Sequence, residues 1–117
     1  MAAKTAAILV VDDNPPTRYS TSRVLRNEGF TVLEAGTGQD ALQLAATHPL
    51  DLVVLDVNLP DIDGFEVAGQ LTNGNGPDIV LVSSRDSSDF GPLVARSGAR
   101  GFVPKAELSG ARIHELL

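Results

Sequence analysis

The chain has no cysteine and no tryptophan, one tyrosine and four phenylalanines among 117 residues. Without cysteine there are no disulfides, no thiolate metal site and no cysteine nucleophile. With aromatics at 4% and hydrophobic residues at 43%, the interior must be aliphatic, and the length allows one domain with a core that needs no staples. Basic residues are in deficit, 9 Lys and Arg against 15 Asp and Glu, for a formal charge of -6. That balance argues against direct nucleic acid binding by this domain, since no basic stripe is present to displace counterions from phosphates. No apolar run is long enough for a membrane span or a signal peptide: the first one breaks at Asp12. The expectation is a cytoplasmic protein and a single domain over residues 1–117, with no internal repeat or low-complexity tract.

What is present is a set of short apolar runs that end in acid or hydroxyl. Ile8-Leu9-Val10-Val11 leads into Asp12-Asp13, Leu52-Val53-Val54-Leu55 into Asp56, and Ile79-Val80-Leu81-Val82 into Ser83. Runs apolar on both faces suit parallel strands covered by helices above and below. Helical punctuation lies between them. Asn14 with Pro15 and Pro16 opens a first helix that Gly29 closes. Thr37 with Asp40 opens a second, stopped by Pro49; a third begins near Asp63. A fourth carries Phe90, Leu93, Val94 and Ser97 and ends at Gly98, and a final helix is expected over 106–117. Gly91-Pro92 should make the fourth helix late or irregular, because proline is not tolerated deep in a helix. Thr31 to Ala35 is a more polar strand, and Gly101-Phe102-Val103 a short fifth one.

Five β-α units in strict alternation mean a parallel sheet with right-handed crossovers. Placing the three apolar strands centrally and the two mixed ones at the edges gives the order 2-1-3-4-5. This is an α/β, doubly wound, flavodoxin-like sheet with helices on both faces. That order sets strands one and three side by side and gathers Asp12, Asp13 and Asp56 at the carboxyl edge, where open α/β sheets place their sites. Like charges so crowded call for a cation or a reaction.

In isolation the Asp12-Asp13 pair is an ordinary turn and cap signal, Lys105 an ordinary surface lysine, and Ser83-Ser84 loop residues. Together they are more specific. Val10-Val11-Asp12-Asp13-Asn14, the stretch from Leu55 to Gly64, Val82-Ser83-Ser84 and Gly101-Phe102-Val103-Pro104-Lys105 resemble the receiver domains of two-component response regulators over essentially the whole chain.

The resemblance implies a signalling module and not a turnover enzyme. Asp56 would be the phosphoacceptor, assisted by Lys105 and Ser83. Mg²⁺ would be held by Asp12, Asp13, Asp56 and the backbone carbonyl of Asn58, and Ser83 with Phe102 would form the switch. Phe102 also has a plain reading as a core aromatic. The implied partners are a sensor histidine kinase or histidine phosphotransfer protein, and a downstream protein or covalently linked output domain. Asp61 and Asp63 read as loop and cap residues, Gly64 as a point of backbone freedom, and His48 and His114 as surface residues without a phosphorelay role. Where many receivers have proline after the lysine, this chain has Ala106, which leaves the Lys105–Ala106 peptide geometry open. Two rival readings fit the same acids. A Mg²⁺-dependent phosphohydrolase would need a substrate pocket or cap insertion, for which no loop is long enough. A degenerate receiver used only for docking would lack an acid or the lysine, and neither is missing.

Overall fold

The computed structural model describes residues 6–72, 76–83 and 91–116. β1 (Ala7–Val11), β2 (Thr31–Ala35), β3 (Leu52–Asp56), β4 (Asp78–Ser83) and β5 (Gly101–Pro104) form one parallel sheet in the order β2-β1-β3-β4-β5. The helices are α1 (Pro15–Asn27), α2 (Gly38–Thr47), α3 (Gly64–Leu71), α4 (Gly91–Ser97) and α5 (Gly110–Leu116). The three runs apolar on both faces are the central strands and the mixed ones are the edges, as the sequence predicts.

Side chains alternate across each strand, so every strand feeds two cores. Leu9, Val11, Val53, Leu55, Ile79 and Leu81 pack with Ala41, Val67 and Ala68 of α2 and α3 on one face. Ile8, Val10, Leu52, Val54, Val80 and Val82 pack with Leu25 of α1 and Ile113 of α5 on the other. At about 1.5–3 kcal/mol per buried aliphatic side chain, these two layers easily outweigh the repulsion of a few acids at the sheet's edge.

Local signals account for most boundaries. The Asn14 side chain accepts from Thr17 N at 3.3 Å with proline at the first two helical positions, and Gly29 beyond the end of α1 takes φ +97°. Thr37 caps α2 through Asp40 N at 3.1 Å, and Asp63 caps α3 through Phe65 N at 2.7 Å.

Two expectations are corrected. The last helix does not begin at Ala106: a 3-10 turn spans Lys105–Glu107, Leu108 is extended, and α5 starts only at Gly110. The reason is twofold. Leu108 packs against the α1-side core, and Ser109 then caps the helix by accepting from Arg112 N at 3.1 Å. Gly64 is needed for space, not for freedom. A Cβ there would lie 2.4 Å from the main-chain oxygen of Asp56 and 2.5 Å from the Cα of Val57, while only Gly29 and Gly98 have positive φ.

The Lys105–Ala106 peptide is trans, as is every described peptide bond. α4 is described from Gly91, with Pro92 second; Ser84, Ser88 and Phe90 fall outside the described residues, as do residues 73–75 of the Asn73-to-Pro77 loop. Among the described residues, no helix is long and apolar enough to cross a membrane.

Candidate functional site

The parallel register puts the ends of β1 and β3 at one level, because Val11 pairs with Leu55. The next residue of each strand is an aspartate, and the two are held alike. Asp12 Oδ1 accepts from Asn14 N at 2.9 Å and Asp56 Oδ1 from Asn58 N at 2.9 Å, each carboxylate bonding the main chain two residues on. Lys105 reaches across from the end of β5 and donates to Asp12 Oδ2 and to Asp56 Oδ2, both at 2.9 Å. Asp12 and Asp56 are each only 3% exposed. Asp13 is exposed, yet one of its carboxylate oxygens lies with one from Asp12 and one from Asp56 inside a 4.8 Å group.

Charge is therefore out of balance at this edge. Three carboxylates against one ammonium leave a local charge of -2 (-3 + 1) when all are ionised. Burial pushes the Asp56 carboxyl above its ordinary 3.8, and neighbouring Asp12 adds to this; the N–H of Asn58 and the ammonium of Lys105 offset only part of it. For Lys105 burial works downward but is outweighed by its bonds to Asp56 and Asp12, which hold the ammonium above its ordinary 10.5. The lysine is thus firmly a cation, whereas ionised Asp56 is under-compensated.

The donors are hard oxygens with no nitrogen or sulfur ligand among them, on a partly open rim. This set suits Mg²⁺, which takes carboxylate oxygens at about 2.0–2.1 Å and keeps several waters.

Ser83 follows Val82, the register partner of Asp56, and is fully buried. Phe102 pairs with Leu81 and shares its face of the sheet, so the ring sits one step from Ser83 on the side of α3 and α4. Asn58 opens the β3–α3 loop and is exposed. The sequence-predicted residues thus gather at one sheet edge, with Phe102 one layer below.

Asp61 and Asp63 do not join them. Asp61 instead accepts from Gly38 N at 2.8 Å and Gln39 N at 2.9 Å, tying the β3–α3 loop to the first turn of α2. His48 is exposed at the end of α2, its Nδ1 near Thr47 Oγ1, and the side chain of His114 is outside the described set.

One neighbour of the cluster escapes a reading of sequence. Arg18 Nη1 donates to the Asp12 main-chain oxygen at 2.9 Å. Its signal was its position: a cation four residues into a helix faces the positive end of the helix dipole, and needs a partner elsewhere.

A groove of about 320 Å³ runs from Lys105 along α1, lined by Thr17, Ser20, Val24, Leu108 and Ser109 among others.

The model of the response regulator receiver domain family matches residues 8–117. Among curated proteins, the transcriptional regulatory protein KdpE of Mycobacterium tuberculosis is 43% identical over 98 residues, covering 84% of this chain and 43% of its own. The virulence transcription regulator BvgA of Bordetella pertussis is 37% identical over 112 residues, covering 94% of this chain and 52% of its own. The chain thus spans about half the length of these relatives. Among solved structures, the chemotaxis regulator CheY4 of Vibrio cholerae superposes with a TM-score of 0.88 at 25% identity, over 97% of this chain and all of the other. The response regulator TrrA of Thermotoga maritima, solved with Mg²⁺ and a beryllofluoride, gives 0.84 at 29% identity over 97% of this chain and 100% of its own.

Proposed function

The chain belongs to the response regulator receiver domain family, and on that premise we propose that Asp56 is its phosphoryl acceptor, with Lys105 and Ser83 assisting. We propose further that Asp12, Asp13, Asp56 and the Asn58 carbonyl hold Mg²⁺. The observation that carries this reading is the convergence of three carboxylates and Lys105 on one sheet edge, with more negative charge than the chain itself compensates.

Receiver domains take their phosphoryl group from histidine kinases or phosphotransfer proteins, and the same donor class is proposed here. An oxygen of Asp56 attacks the phosphorus of a phosphohistidine. The Asp56 O–P bond forms as the P–N bond breaks, and the imidazole leaves with the bonding electrons. Bound Mg²⁺ supplies neutralisation of charge on the transferring phosphoryl oxygens. Burial holds Asp56 in place and leaves its carboxylate poorly solvated, which is what raises its pKa and makes its charge ready to be shared. Lys105 must release Asp56 Oδ2 and follow the new phosphoryl oxygens, which its flexible stem and compact charge allow. Ser83 follows the residue that pairs with Asp56, and its hydroxyl donates to the phosphoryl group. The groove beside α1 ends at Lys105 and offers a donor protein a way in.

Movement of Ser83 toward the phosphoryl group opens space on the face that Phe102 shares, so phosphorylation shifts a packing equilibrium in the α4-β5-α5 surface. Residues 1–117 are taken as one receiver domain acting in the cytoplasm. It passes its state to a downstream protein or to an output domain, as the transcriptional regulators among its relatives suggest.

Incubation with a small phosphodonor and Mg²⁺, read by intact mass, is expected to add one phosphoryl group to the wild type and none to Asp56→Asn. Equal labelling of the variant would overturn the assignment. Beryllofluoride is expected to move backbone amide signals across residues 84–110; shifts confined to the neighbours of Asp12, Asp13, Asp56 and Lys105 would rule out the switch.

A further inference from the structure

We infer that Arg18 is a positioning residue for the acidic cluster, fixing the Asp12–Asp13 peptide so that a divalent cation meets carboxylates already in place; this rests on the metal reading above. Arg18 is only 17% exposed, and its guanidinium is held from several sides. Nη1 donates to the Asp12 oxygen at 2.9 Å and Nε to Glu34 Oε1 at 3.3 Å. The Tyr19 ring centroid lies 5.4 Å from Cζ. Gly36 gives the guanidinium room, because a Cβ there would come within 3.2 Å of Nη1. Glu34 is in turn held at 3.2 Å by Arg26, which also donates to the Val32 oxygen at 3.1 Å.

The carbonyl that Arg18 grips belongs to the peptide unit joining Asp12 to Asp13. That unit is planar, so fixing its oxygen fixes the direction in which the chain leaves toward Asp13. Asp12 N donates to the Ala35 oxygen at 3.1 Å, which pins the other side of Asp12. Asp13 is exposed, yet its carboxylate lies within the cluster. Arg18 is the contact that sets where it starts.

Electrostatics and positioning give opposite signs, which makes the inference testable. Arg18 is a cation beside a cation site. By Coulomb's law alone its removal tightens Mg²⁺ binding. If it positions the ligands, its removal weakens binding, and outer-shell partners of metal ligands are worth about 10-fold or more in affinity. Calorimetric titration of Mg²⁺ into the wild type, Arg18→Met, Arg18→Lys and Arg26→Met separates the two. The expected result is Mg²⁺ binding weakened about 10-fold in Arg18→Met and less in Arg18→Lys, which keeps one donor, and in Arg26→Met, which removes one support of Glu34 but leaves the Arg18 bond to Asp12. Equal or tighter binding in Arg18→Met overturns the inference. Should that variant not fold, Arg18→Lys decides in the same way, a wild-type affinity overturning it. No Mg²⁺ binding by the wild type would instead overturn the metal reading itself.

Discussion

Asp56 closes β3 and Asp61 stands in the loop that follows it, and their carboxylates meet different company. Asp61 lies at the surface and accepts from two consecutive main-chain N–H groups at the start of α2. Asp56 is buried, accepts from one N–H, and shares its one ammonium with Asp12. The two therefore titrate in opposite directions. The N–H groups of Gln39 and Gly38 hold Asp61 below the ordinary 3.8, while burial lifts Asp56 above it. An acid answered by backbone donors has completed its task within the fold. One left under-compensated at a sheet edge is the one for which we propose a ligand from outside.

The largest effect tests how tightly the two regions are joined. Gly64 follows the Asp63 cap and lies against the main chain of Asp56, where an added Cβ finds no space. Gly64→Ala is expected to cost about 3 kcal/mol, the upper range of overpacking, and to slow Asp56 phosphorylation. Urea denaturation and phosphodonor kinetics check this; a variant as stable as the wild type would mean that loop and site move independently.

Next comes the shared cation. Lys105→Met leaves Asp12 and Asp56 facing each other without it. Breaking a fully buried pair costs about 3–5 kcal/mol, and partial exposure of the lysine reduces the expectation to about 2 kcal/mol in metal-free buffer. Because Lys105 has its pKa raised, its contribution is present below 10.5 and is lost as pH rises through the higher folded value. Mg²⁺ is expected to restore more stability to this variant than to the wild type. Equal stability of the two proteins in chelator would show that the pair contributes nothing.

A smaller effect reverses sign between the two aspartates. With Asp56 raised, the folded state binds the proton more tightly, so stability falls as pH rises from 3.8 through the folded pKa. Asp56→Asn is therefore expected to raise Tm at neutral pH without metal. Asp61 is the opposite: its contribution is present above 3.8 and is lost as pH falls through its lowered folded pKa. Asp61→Asn is expected to lower Tm slightly at neutral pH, with the difference closing in acid. Thermal melts across pH check both, and shifts of the same sign would remove the distinction.

Much of this was legible in the sequence, for a physical reason. Strand ends marked by Asp12, Asp56 and Ser83 follow from local runs of apolar residues, and parallel alternation then leaves little choice of order. The cluster follows because the order brings those ends together. What escaped depends on contacts distant in sequence or on space. The bond from Asp61 to Gly38 spans 23 residues, and nothing local announces it. Gly64 was identified as special, but its reason is the Asp56 main chain lying against it. Ser109 was missed as a cap because Ala106 to Leu117 carries no breaker before Gly110, and only the inward turn of Leu108 shows where the helix must restart. Arg18 carries only a weak local sign, a cation in the first turn of α1, and its partners Glu34 and the Asp12 oxygen show only in the fold.

On the proposed function the strand-end acids hold a cation and a phosphoryl group, and the loop acids Asp61 and Asp63 do not. Mg²⁺-induced change in Tm tests it most directly, since a ligand bound only by the folded state stabilises it by mass action. The expected result is a rise in Tm with Mg²⁺ in the wild type and equally in Asp61→Asn, and none in an Asp12→Asn/Asp13→Asn double variant. The same rise in the double variant as in the wild type would mean that Asp12 and Asp13 hold no cation.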